Sequence, residues 1–133
     1  MEQLLLYPMS FHLVWCCLLY LLLTLLRAPS VWGLYKNSQI VAVSKEIEPR
    51  VSANLSNQFE WPVFFHAACI ITLNTSEFFS RALLILAWCF IFGRVIHSVV
   101  QIGMSNIRLR GMVFCINFLS VLLMWCVLLT NVA

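Results

Sequence analysis

The sequence predicts an all-α integral membrane protein: a four-helix antiparallel bundle forming one domain over residues 1–133. Three observations carry this. Of the 133 residues, 62% are hydrophobic and only 10% are charged, and the mean hydropathy is +0.94. A soluble domain is about 25% charged, so these few charges cannot cover a water-soluble globule. The apolar residues fall into long runs of membrane length, and the lysines and arginines gather in the connections between them. The net charge of +3 is small, and the chain offers no basic surface for nucleic acid.

The first predicted helix covers about residues 4–26, through "FHLVWCCLLYLLLTLL". Spanning the hydrocarbon core takes about 20 residues at about 1.5 Å of rise each. No Lys or Arg precedes this run and no small-residue cleavage site follows it, so it reads as a retained helix rather than a cleaved signal. The second apolar run, "WPVFFHAACIITL", is too short alone. It borrows length from "RVSANLSNQFE", giving a helix over about residues 49–74, with Pro49 in its first turn and Pro62 as an internal kink. The third and fourth helices are expected at about residues 78–105 and 110–130. Pro29, Gly33 and Pro49 mark residues 27–49 as a loop.

Arg27, Lys36, Lys45 and Arg50 occupy the first connection, and Arg108 and Arg110 the third; the second has only Arg81. The positive-inside rule puts the first and third connections in the cytoplasm and both termini on the other side. A multi-pass integral membrane protein is the expected outcome.

Six cysteines (Cys16, Cys17, Cys69, Cys89, Cys115 and Cys126) lie in apolar runs without metal-ligand spacing, and read as small hydrophobes. No metal site is expected. His12 and His66, single histidines on apolar helices, read as hydrogen-bonded packing residues. The glycosylation patterns at residues 54–56 and 74–76 are discounted, the first as cytoplasmic and the second as too close to the membrane.

"WCFIFGRVIHSVVQIGMSNIRLRG" is the unusual stretch. Arg94, Ser98, Gln101, Ser105 and Arg108 follow helical spacing along one face, with His97 beside them. Arg110 would point to a different side. The second helix carries Arg50, Asn54, Asn57 and Glu60. A buried arginine in a membrane costs several kcal/mol unless paired, and Glu60 is the expected partner of Arg94. Facing stripes with several arginines suit an anionic ligand, since guanidinium groups bind carboxylates through paired hydrogen bonds.

"NQFEWPVFF" and "AWCFIFGRVIHSVVQ…NIRLRG" resemble the second- and third-helix signatures of the MAPEG superfamily, the membrane-associated proteins of eicosanoid and glutathione metabolism. The two motifs cover roughly residues 50–112, the four-helix topology and the long first connection extend the match over the whole chain, and the chain most resembles the small bacterial members, which implies a bacterial inner membrane. The resemblance implies a homotrimer with glutathione held between subunits near the cytoplasmic face. It assigns glutathione contacts to Asn57, Glu60 and Arg94, and activation of the glutathione thiol to Arg108. His97 and Gln101 fall where the leukotriene-synthesising branch has tyrosines that contact glutathione. Ala53 stands where characterised members have an arginine, and Arg50, one turn earlier, is the candidate substitute.

The implied chemistry is thiolate activation. A thiol of pKa about 8.5 is only slightly ionised at neutrality, and a nearby guanidinium favours the charged form. The thiolate would attack a lipophilic electrophile, or reduce a peroxide, dissolved in the bilayer. Two classes of function follow: a glutathione-dependent transferase or peroxidase, or a non-catalytic MAPEG-like membrane protein whose polar stripes hold helices together or bind a lipid head group.

Overall fold

The structure, a computed structural model, describes residues 1–33, 38–104 and 106–132. Lys36 and Ser105, both used in the sequence reading, lie outside these. A short 3-10 helix, Glu2–Leu5, leads into α1, Leu6–Trp32. Then follow α2, Ser38–Asn57; α3, Pro62–Asn74; a 3-10 turn at Ser76–Phe78; α4, Arg81–Gly103; and α5, Ile107–Val132.

Three segments are long and apolar enough to cross a membrane: Glu2–Pro29, Arg81–Gly103 and Ile107–Asn131. Leucines, valines and phenylalanines along them face outward, as lipid contact demands. The first helix runs past its expected end, through Pro29, and stops at Gly33. Gly33 has φ of 60°, the left-handed conformation that closes helices and that a residue lacking Cβ adopts freely.

The expected second helix is corrected in two ways. It begins at Ser38 rather than near Pro49, so the polar stretch read as a loop is largely helical, with Pro49 in its interior. It also breaks in two. Pro62 has no N–H to bond the Gln58 carbonyl, and its ring would crowd that carbonyl in a continuous helix. The chain therefore unwinds over residues 58–61, through tighter bonds from Gln58 N–H to Leu55 O and from Phe59 N–H to Ser56 O, both 3.0 Å. Pro62 then opens α3, where its missing N–H leaves no bond unmade.

α1 and α2 pack through Leu19, Leu23, Val51 and Leu55, with Trp15 and Ile102 against them. Arg27 reaches Glu48 at their polar end, Nη2 to Oε1 at 2.6 Å. The main core joins α3, α4 and α5 with Leu5, and includes Phe65, Phe90, Ile91 and Met124, with the Phe65 and Phe90 rings stacked 4.4 Å apart. α4 begins on a Ser80 cap, whose hydroxyl accepts from Leu83 N–H at 3.2 Å. α4 and α5 form the most extensive helix pair. Their contact is close at Gly93: a Cβ there would run into Asn117 Oδ1.

Candidate functional site

The centre of the bundle is a polar network built around Arg94, which is 1% exposed. Its partner is not Glu60. Glu60 lies in the break between α2 and α3, is exposed, and makes no ion pair with Arg94. Arg94 instead donates from Nη2 to the Asn57 backbone carbonyl and from Nε to Gln58 Oε1 at 3.0 Å. The break explains this choice. The Asn57 carbonyl would bond an N–H four residues on in a continuous helix, and the unwinding at Pro62 leaves it for the guanidinium.

Because a guanidinium can only donate, Arg94 fixes the direction of the bonds around it. Gln58 must present its oxygen to Arg94, so its Nε2 donates to Asn54 Oδ1 and Ser98 Oγ, both at 3.2 Å. Asn54 Nδ2 then donates to Gln101 Oε1 at 2.9 Å, which also accepts from Asn57 Nδ2 at 3.2 Å. Ser98 accepts from Trp15 Nε1 at 3.1 Å and donates to the Arg94 carbonyl at 2.9 Å. Helices α1, α2 and α4 are thereby joined through polar groups buried where water is scarce.

The network ends at the surface in two adjoining cavities that share Gln101, Ile107 and Arg110. One, about 460 Å³, is also lined by Asn57, His97 and Phe114. The other, about 180 Å³, is lined in addition by Arg50, Met104 and Asn106. Gln101 has both hydrogen bonds on its oxygen, so its amide nitrogen is the group left for a ligand. Arg50 is half-buried; it donates to Glu46 Oε1 at 3.2 Å and to the Ile102 carbonyl at 3.5 Å. Donors therefore dominate this rim.

The expected single stripe from Arg94 to Arg108 does not exist as one helix face. α4 ends at Gly103, and Met104 is extended, so the helical phase restarts at Ile107. Arg108 is exposed on the first turn of α5. Asn106 caps that turn, its Oδ1 accepting from Arg108 N–H at 3.1 Å and Leu109 N–H at 3.2 Å. The restart turns Arg110 toward Arg50 and Gln101, the reverse of its expected direction, while Arg108 lines neither cavity.

Among the described residues, several buried polar atoms have no partner: Arg94 Nη1, His97 Nδ1, both amide atoms of Asn117, and Trp61 Nε1. Unpaired buried donors are uncommon and costly. Gln58 was missed in the sequence, although it stands four residues after Asn54 and so shares its helix face. Asn54, inside a glycosylation pattern, is fully buried and hydrogen-bonded.

Three helices of membrane length, a buried arginine network and a basic rim at one end define the class as a helical membrane-protein bundle. The MAPEG family model matches residues 5–130, and the chain belongs to the MAPEG family. No curated protein and no solved structure matches it.

Proposed function

We propose that this protein is a glutathione-dependent transferase or peroxidase acting on lipophilic electrophiles, assembled as a homotrimer in a bacterial inner membrane. The family includes glutathione-dependent transferases and peroxidases as well as non-catalytic members. The observation that carries the catalytic reading is the donor-rich rim of the adjoining cavities, formed by Arg50, Gln101 and Arg110 above Asn57 and His97.

The residues fit glutathione in charge and position. Its carboxylates call for cationic or N–H donors, which Arg50, Arg110 and the Gln101 amide supply. Arg94 Nη1 and His97 Nδ1, unpartnered and buried nearby, add hydrogen-bonding capacity at the inner end. Glu60, exposed at the helix break, lines neither cavity, and its part in holding the amino group rests on the family resemblance. Arg108, at the same end of the bundle, is the residue for thiol activation: its charge favours the ionised form of a thiol beside it, and a neighbouring subunit would exclude water there. The first and third connections, with their six basic residues, would face the cytoplasm and its glutathione.

The non-catalytic reading draws on a different observation. Arg94 is held by Asn57 and Gln58 of its own chain, so its charge also serves to fix α4 against the α2–α3 break. Isothermal titration of detergent-purified protein with glutathione separates the two. Saturable binding that weakens in Arg110→Ala and Arg50→Ala supports the site; absence of heat in a folded sample rejects it.

A further inference from the structure

A further cavity, of about 440 Å³, lies between α1 and α3 and shares no lining residue with the two at the basic rim. Its walls are largely apolar, with Leu6, Met9, Leu13, Phe59 and Val63; Ser10, Tyr20 and Gln58 also line it, and its polar end is built on the hydrogen-bonded pair His12 and His66. His12 Nδ1 lies 3.1 Å from His66 Nε2, and His12 Nε2 lies 3.2 Å from Gln58 Oε1. These histidines belong to the same hydrogen-bonded network as Arg94, but they line neither cavity of the basic rim.

The network decides which of their nitrogens carry protons. Arg94 forces Gln58 to present Oε1, and that oxygen can only accept. His12 must therefore carry its proton on Nε2, which leaves Nδ1 bare in the neutral ring. The Cys16 thiol lies 4.0 Å from His12 Nδ1 and is a weak donor, whereas His66 Nε2 approaches that nitrogen to 3.1 Å; two bare nitrogens would repel at this distance, so His66 carries its proton on Nε2. His66 Nδ1 is then left as an acceptor, and among the described residues it has no hydrogen-bond partner. His66 is half-buried and lines the cavity. An arginine buried on α4 thus sets an acceptor at the polar end of an apolar cavity beside α1.

We propose that this cavity is a binding site for an apolar molecule carrying one hydroxyl group, whose O–H donates to His66 Nδ1 while its chain or ring lies against Leu6, Leu13 and Val63. The polarity of the end selects for a donor. A hydroxyl dissolved among lipid chains has no water to bond, so an imidazole acceptor there discriminates strongly. Ethers and esters, which only accept, gain nothing from it. The site requires no glutathione and stands apart from the function proposed above.

The test uses the full-length protein in liposomes with a diazirine-bearing long-chain alcohol as probe, and the methyl ether of that alcohol as its comparison. After photolysis, labelled residues are located by mass spectrometry. The alcohol is expected to label residues 6–20 and 58–66 at least fivefold more than the ether. His66→Phe, which keeps an aromatic ring but removes the acceptor, should abolish that preference. Val63→Trp, which fills the cavity and leaves both histidines, should reduce labelling by the alcohol to the level of the ether. Equal labelling by the two probes in the wild type overturns the proposal, as does a preference that survives His66→Phe. Absence of labelling at these residues also overturns it, and would mean that a second copy of the chain covers this face.

Discussion

The Arg94 guanidinium donates to the backbone carbonyl of Asn57, a carbonyl that the break ahead of Pro62 withholds from the helix ladder. A proline on one helix thus prepares the acceptor for a buried cation on another. The same break exposes Glu60, the only acidic residue of the second-helix motif, and leaves Gln58 as the side-chain partner.

This arrangement orders three substitutions by stability. Gln58→Leu strips Arg94 Nε and His12 of a shared acceptor and leaves a buried charge underbonded, a loss of roughly 3–5 kcal/mol. Arg94→Leu removes the charge itself and leaves the Asn57 carbonyl without its donor, a loss of roughly 1–3 kcal/mol. Glu60→Gln, at an exposed position that acts on Arg94 only from beyond ion-pair distance, should change stability by less than about 0.5 kcal/mol. Thermal unfolding in detergent should give that order. A Glu60→Gln loss as large as that of Arg94→Leu would mean that Glu60 does reach the guanidinium.

The contact between α4 and α5 makes a second prediction. Gly93→Ala places a methyl group against Asn117 Oδ1, and overpacking of this kind costs roughly 1–3 kcal/mol. Asn117 is fully buried, and among the described residues neither of its amide atoms has a partner, so Asn117→Ala removes the obstacle together with that polar group. The double variant should therefore be more stable than Gly93→Ala alone. Simple additivity of the two losses would show that the residues do not meet.

The start of α5 gives a third. Asn106 Oδ1 holds the N–H groups of Arg108 and Leu109, and loss of such a cap costs about 1 kcal/mol. Asn106→Ala should lower the melting temperature modestly. It should also weaken glutathione binding several-fold, because the first turn carries both Arg108 and Arg110. Asn106→Ser, which retains a capping oxygen, should restore most of both. Unchanged binding in a measurably destabilised Asn106→Ala protein would detach the cap from the site.

The sequence disclosed some of this geometry and hid the rest for definite reasons. The three long apolar helices were legible because composition and length alone specify a membrane span. Ser38–Asn57 was harder: its first half is polar and contains Pro49, features that also mark loops. The Asn57 carbonyl could not be foreseen as a partner of Arg94, since backbone acceptors have no side-chain signature. Charge pairing pointed to Glu60, whereas a helix break decided otherwise. The arginines of α5 were misdirected by phase. Spacing counted from Arg94 holds only while the helix continues, and α4 stops at Gly103. Gln58 was missed, although its four-residue spacing to Asn54 offered a signal, while the tautomers of His12 and His66 depend on contacts among α1, α3 and the break that no local pattern encodes.

The last prediction separates the roles of the two arginines on α5. Arg110 lines the cavities beside Arg50, so its contribution should be to hold a carboxylate. Arg110→Ala should weaken glutathione binding by about tenfold, the equivalent of roughly 1.4 kcal/mol, and conjugation should fall at low glutathione but recover as glutathione is raised. Arg108 is exposed and lines neither cavity, so its proposed part is to stabilise charge on the thiol where subunits meet. Arg108→Ala should leave binding within a few-fold of the wild type and abolish the ultraviolet absorbance of the thiolate at neutral pH. Conjugation of a lipophilic electrophile should then fall at least tenfold even at saturating glutathione, since about 1.4 kcal/mol of lost transition-state stabilisation gives that factor. Both variants should keep their melting temperatures, because neither side chain is buried. If Arg110→Ala removes the thiolate signal while Arg108→Ala retains it, the two roles are exchanged, and the phase restart at Ile107 has moved thiol activation from one arginine to the other. If neither substitution alters binding or absorbance, the basic rim is not a glutathione site.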